Sequence, residues 1–105
     1  MDIKINGRKY TLIRTCYACP EQYDVTREGK LVGYLRLRHG SFRADCPDCL
    51  VETVLLSNTV KGDGIFEDDE RIEWLAKAIL AIDTHLQQNP DVFANADLYN
   101  PGEGL

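Results

Sequence analysis

Residues 23–46, YDVTREGKLVGYLRLRHGSFRADC, decide the fold. Glu28-Gly29-Lys30 and His39-Gly40-Ser41 interrupt three β-favouring runs and read as turns between three strands. In the middle run Leu31, Leu35 and Leu37 fall on one side, whereas Val32, Tyr34, Arg36 and Arg38 fall on the other. One face of this meander is therefore predicted to be core, and the other aromatic and basic.

Working outward, Lys4 to Arg14 hold β-favouring residues around an Asn6-Gly7 turn, which predicts a short hairpin. On the other side, Val51 to Leu56 predict a further strand, so the antiparallel sheet has four strands or more. After the loop KGDGIFEDDER, residues Ile72, Leu75, Ile79, Ile82 and Leu86 recur at steps of three and four, with Trp74, Ala78 and Ala81 alongside. This spacing predicts an amphipathic helix laid on the sheet and stopped at Asn89-Pro90. The expected architecture is α+β: a small antiparallel sheet of zinc-ribbon type packed against one long helix. It forms a single domain over residues 1–90, followed by a partly ordered C-terminal tail over 91–105.

Both ends of the meander carry a C-x-x-C pair, Cys16/Cys19 and Cys46/Cys49, which together use all four cysteines of the chain. Two such turns match the ligand spacing of one tetrahedral four-thiolate ion, so the sequence predicts a single structural Zn2+ held by Cys16, Cys19, Cys46 and Cys49. Four thiolates leave no open position for a reacting water, which argues against metal-centred catalysis. A thioredoxin-like redox centre would need a βαβ setting that the surrounding sequence lacks.

The 105 residues suffice for one core, and the net charge is −5. Residues 1–62 carry ten Lys/Arg against seven Asp/Glu, while residues 63–105 carry two against ten. The N-terminus is polar, and no later run is long and apolar enough to span a bilayer. A cytoplasmic protein in which thiols stay reduced is the expectation. No nucleophile elbow, H-E-x-x-H or phosphate-binding glycine fingerprint occurs, and the Asp63 to Glu70 loop places Thr59 and Lys61 where a calcium loop needs acidic ligands. A non-enzymatic protein is expected.

Two charged surfaces remain as candidate binding sites. The acidic helix start, Glu67, Asp68, Asp69, Glu70 and Glu73, offers carboxylates to a basic partner. The basic strand face, Tyr34, Arg36, Arg38 and Arg43, with Arg27, Lys30 and Tyr23 nearby, offers guanidinium groups and a ring to nucleic acid.

Three stretches, C-P-E-Q-Y-D-V at 19–25, G-Y-L-R-L-R-H-G-x-F at 33–42 and G-D-G-x-F-x-D-x-E-R at 62–71, resemble a family of small phage and prophage proteins. The resemblance runs from about Cys19 to Leu80. It implies a compact accessory protein of a mobile element in a bacterial host cell, and it carries over no catalytic residue. The family's commonest form does not always keep both cysteine pairs, which would confine zinc to a subset. In size and character the chain is also similar to zinc-containing anti-CRISPR proteins of type II systems. That similarity implies a stoichiometric inhibitor that blocks nucleic-acid loading of an RNA-guided nuclease; the acidic helix start is the expected contact surface, and a monomer or small homo-oligomer is expected. The alternative expectation is a nucleic-acid-binding zinc ribbon acting in transcription or host takeover.

Overall fold

The computed structural model describes residues 1–16 and 20–100. Six strands lie in the order of the chain, β1 (Asp2–Ile5), β2 (Arg8–Cys16), β3 (Glu21–Arg27), β4 (Lys30–Arg38), β5 (Ser41–Asp45) and β6 (Thr53–Ser57), and every neighbouring pair is antiparallel. The helices α1 (Arg71–Gln88) and α2 (Pro90–Ala94) follow. The α+β architecture is thus as the sequence predicts, with two strands more than the minimum. Among the described residues no helix is long and apolar enough to cross a membrane.

Local chemistry makes the meander. The three tight turns are Asn6-Gly7, Glu28-Gly29 and His39-Gly40, and all six residues have positive φ. This is the mirror-image turn whose twist matches that of paired strands, and glycine at its second position adopts the conformation without a Cβ clash.

The core lies between one face of the sheet and α1. Tyr10, Leu12, Val25, Leu35, Leu37, Phe42 and Ala44 come from the sheet, and Leu75, Ala78, Ile79, Ile82 and Leu86 from the helix. Since α1 touches both outer strands, β1 and β6, as well as β4 and β5, the sheet curls around it. Gly33 lets the two come close: a Cβ there would stand 2.5 Å from Ile82 Cδ1. The predicted stripe holds except at Ile72, in the first turn of α1, which is 58 % exposed.

A β-bulge between Val25 and Thr26 shifts the register against β4, pairing Val25 with Gly33 but Thr26 with Leu31. Its effect is that Val32, expected on the outer face, is fully buried, while Leu31 is only half-buried. Beyond α1, the described part of the C-terminal segment returns to the sheet. Val92, Phe93 and Ala96 pack on the core, the Leu31 N–H donates to the Asp97 carbonyl at 2.9 Å, and the Tyr99 hydroxyl donates to Asp24 at 2.9 Å.

Candidate nucleic-acid interface

Tyr34, Arg36 and Arg38 alternate with the buried Leu35 and Leu37 along β4 and so share the outer face of the sheet, away from α1. Register places Arg43 of β5 directly opposite Arg36, with Gln22 on the far side of Arg36 and Leu56 on the far side of Arg43. Two like charges on directly opposed positions repel, which is an unfavourable cross-strand arrangement. Neutralisation is incomplete. Arg43 Nε lies 3.0 Å from the buried Asp45 Oδ2 without the alignment of a hydrogen bond. That carboxylate already accepts from the Leu50 N–H and the Thr53 hydroxyl, both at 2.9 Å. Among the described residues Arg36 and Arg38 have no carboxylate partner, and the solvent-shielded Arg36 Nε has no acceptor at all. These arginines, with His39, Ser41 and Leu56, line a shallow groove of about 460 Å3. At its head the Tyr34 hydroxyl donates to Gln22 Oε1 at 2.8 Å, which fixes the ring.

Three residues expected beside this face are elsewhere. Tyr23 pairs with Leu35 and points into the core. Arg27 lies 4.3 Å from the centroid of the Phe93 ring, and Lys30 donates to the Phe93 and Ala94 carbonyls at 3.2 Å, so both hold α2 in place. They cannot serve the groove, because the bulge and the Glu28-Gly29 turn carry them to the other end of the sheet.

The acidic helix start is a structural assembly in part. Glu70, expected on the contact surface, is buried and accepts the Lys61, Gly62 and Glu67 N–H groups at 2.8–3.0 Å. Burial by itself would raise the Glu70 carboxyl; the backbone N–H bonds and the Trp74 indole together hold it below the ordinary value. Asp68 pairs with Arg71 at 2.7 Å, Asp69 with Lys61 at 3.0 Å and Glu73 with Lys77 at 3.7 Å, though all three face solvent.

Glu21 is a further buried carboxylate whose role no sequence pattern marks. Glu21 of β3 receives Arg71 Nε at 2.9 Å and the Phe66 N–H at 3.0 Å, and bonds Tyr23 as well. Burial raises this carboxyl too, and the bonds from Arg71, Tyr23 and Phe66 outweigh it, so its pKa is lowered. These contacts account for much of the motif G-D-G-x-F-x-D-x-E-R: it straps the loop across the end of the sheet, with Phe66 edge-on to Phe42 at 5.0 Å. Asp83 of α1 is buried as well, and takes Arg8 Nε at 2.7 Å, the Tyr10 hydroxyl at 2.5 Å and Asn6 Nδ2 at 3.1 Å. The Arg8 guanidinium, against the opposing effect of burial, lowers its pKa to about 2.

Among the described residues the expected zinc ligands do not converge. Cys16 shares the cross-sheet row of Gln22, Arg36 and Arg43, so it lies three strand spacings, roughly 14 Å, from β5. Cys46 is three residues further along, in the core, where burial pushes its thiol up to about 12. Cys49 is exposed, its sulfur 4.0 Å from an Arg43 nitrogen, and Cys19 lies outside the described residues. Thiolates sharing one tetrahedral ion at about 2.3 Å must sit within about 4 Å of one another. Cys16 and Cys46 do not meet that requirement, and among the described residues no three His, Cys, Asp or Glu side chains gather as a metal site. His39 is in its turn, and His85 Nε2 pairs with Glu52 at 3.0 Å.

No protein-family model, no curated protein and no solved structure matches this chain, so the functional reading rests on the geometry of the outer face.

Proposed function

We propose that this protein is a non-enzymatic nucleic-acid-binding module that receives the phosphate backbone on the outer face of β4 and β5, at Arg36, Arg38 and Arg43, with Tyr34 available for base contact. The observation that carries the reading is the direct opposition of Arg36 and Arg43 with no carboxylate for Arg36 or Arg38 among the described residues. Such a cluster is costly alone and is relieved by an external polyanion. Successive outward residues along β4 recur at about 6.8 Å, a spacing suited to a run of phosphates. The net negative charge of the chain argues against indiscriminate binding, since the acidic helix end repels nucleic acid and leaves the arginine face as the attractive surface.

Fluorescence titrations of single-stranded and duplex DNA and RNA across a salt series test this. Removing one arginine–phosphate pair should lower the log–log salt slope by about 1, so Arg36→Ala/Arg38→Ala should lower it by about 2 and weaken binding severalfold. No binding at low salt, or a slope that the double variant leaves unchanged, overturns the reading.

A second proposal keeps the immune-effector inhibitor, docked through Glu67, Asp68, Asp69 and Glu73. It is supported by their exposure, which reaches 98 % for the Asp68 side chain. Glu70 drops out of that surface. Charge reversal at Asp68 and Asp69 separates the two proposals: it should abolish a salt-sensitive complex with an effector nuclease and leave oligonucleotide binding intact.

A further inference from the structure

The outer face of the sheet changes sign within one step along β4. Register sets Asp24 of β3 and Asp45 of β5 directly opposite Tyr34, one on each side, whereas the next two outward positions are Arg36 and Arg38, with Arg43 opposite Arg36. Alternate residues of a strand stand about 6.8 Å apart on one face. A phosphate is therefore drawn to the arginine rows and repelled from the row of Tyr34. What suits the Tyr34 row is a flat, uncharged group with N–H donors on its edge for the half-buried Asp24 carboxylate, and a nucleobase is such a group. The Tyr34 ring is held by its hydroxyl bond to Gln22, so little freedom is lost when a base stacks on it. Leu56, 61 % exposed and opposite Arg43, gives the arginine groove an apolar border. Phosphates make no use of such a border; a sugar or a base does.

The shape of the face selects between the forms of nucleic acid. Because the sheet curls around α1, its outer face is convex. A duplex is convex too, and two convex surfaces meet only over a narrow strip. β4 and β5 are flanked by β3 and β6, so they form no free two-stranded ribbon to enter a major groove. From β3 to β6 the sheet spans three strand spacings, about 14 Å, against a groove about 12 Å wide. A duplex that reached Arg36 and Arg38 with its phosphates would also keep its base faces stacked inside, away from Tyr34. Only an unpaired strand presents a phosphate and a bare base face side by side.

We infer that this face takes single-stranded nucleic acid in preference to duplex, with Tyr34 as the stacking platform for one base and Arg36, Arg38 and Arg43 holding the phosphates next to it. The inference rests on the proposal that the arginine face receives nucleic acid. Its chemistry, an unpaired base beside a phosphate, is shared by DNA and RNA strands.

Fluorescence anisotropy of the full chain with a labelled mixed-sequence strand of about 12 nucleotides, a length that one small domain covers, and with the same strand annealed to its complement, tests it. DNA and RNA are each tried in both forms at low salt. The single strand should bind about tenfold or more tightly than the duplex, the advantage that one base stacked on an aromatic ring supplies. Tyr34→Leu should remove that advantage and leave the salt slope unchanged, because no phosphate contact goes with the ring. Tyr34→Phe, which keeps the ring, should stay within about threefold of the wild type. Duplex binding by Tyr34→Leu should match the wild type, which separates a lost ring from a damaged face. A duplex bound as tightly as the single strand, an advantage that survives Tyr34→Leu, or a Tyr34→Phe protein as weak as Tyr34→Leu overturns the inference and leaves the nucleic-acid reading standing. Binding of neither form overturns both.

Discussion

The outer face of β4 and β5 and the junction of the 58–70 loop with α1 are both densely charged, and they handle charge in opposite ways. At the junction Glu21 and Glu70 are buried, each with at least three donors, and Asp68 and Asp69 have basic partners. On the outer face Arg36 opposes Arg43, and Arg36 and Arg38 find no carboxylate among the described residues. A charged cluster whose members are mutually satisfied contributes to the fold. One that is left repelling itself is poised to bind something else. Charge density in the sequence does not distinguish the two; hydrogen-bond partners do.

Removing one partner from the satisfied cluster should give the largest effect. Glu21→Ala leaves Arg71 and the Phe66 N–H without their buried acceptor, and the loss of one member of a buried pair costs about 3–5 kcal/mol. Urea unfolding should show this as a large fall in midpoint; a change under about 1 kcal/mol would mean that the strap is not held by Glu21.

Next comes acid sensitivity at Asp83. Its carboxyl is lowered from 3.8 to about 2, so the stability it contributes is present above about pH 4 and is lost as the pH falls through about 2. The side chain is only 1 % exposed, and the shift is equivalent to about 2 kcal/mol. Asp83→Asn should be less stable at pH 7 and should lose less on acidification than the wild type. Parallel pH profiles for the two proteins would remove Asp83 from the acid response.

The repelling cluster should behave in the opposite sense. Arg36→Ala/Arg38→Ala should change stability by no more than about 0.5 kcal/mol, or raise it, since among the described residues neither arginine has a carboxylate partner to lose and one source of repulsion disappears. A destabilisation of about 2 kcal/mol or more would mean that these arginines serve the fold, and the contrast between the two regions would collapse. The smallest expected effect is none: with Cys16 and Cys46 separated across β3 and β4, a strong chelator should leave the unfolding midpoint where it was. A chelator-induced collapse would restore the four-thiolate ion and require β2 and β5 to approach one another.

Much of this fold is legible in local sequence. Asn-Gly, Glu-Gly and His-Gly place the turns because two successive positive-φ residues need little steric tolerance beyond what glycine supplies. Leu35 and Leu37 against Tyr34, Arg36 and Arg38 place the faces, and four members of the α1 stripe are buried as their spacing requires. What local pattern does not carry is register. The bulge at Val25/Thr26 turns Val32 inward, and the cysteine spacing is silent about the two strands that separate Cys16 from Cys46. Glu70 reads as a solvated helix-start acid because the N–H groups it caps, at Lys61, Gly62 and Glu67, converge only once the loop has folded. The arginines of the outer face are legible one by one, but the opposition of Arg36 and Arg43 is not.

The clamp between Asp83 and the Asn6, Arg8 and Tyr10 side chains has a consequence for how the chain assembles. Every strand pairs with its neighbour in sequence, so the meander needs only short loop closures and can form progressively from its turns. The first hairpin, however, is locked by a residue more than seventy positions away. During synthesis it must wait, with Arg8 and Tyr10 unpartnered, until α1 has left the ribosome. The oldest part of the nascent chain is therefore among the last to be secured, and a truncation before Asp83 should yield a paired but unlatched N-terminal hairpin.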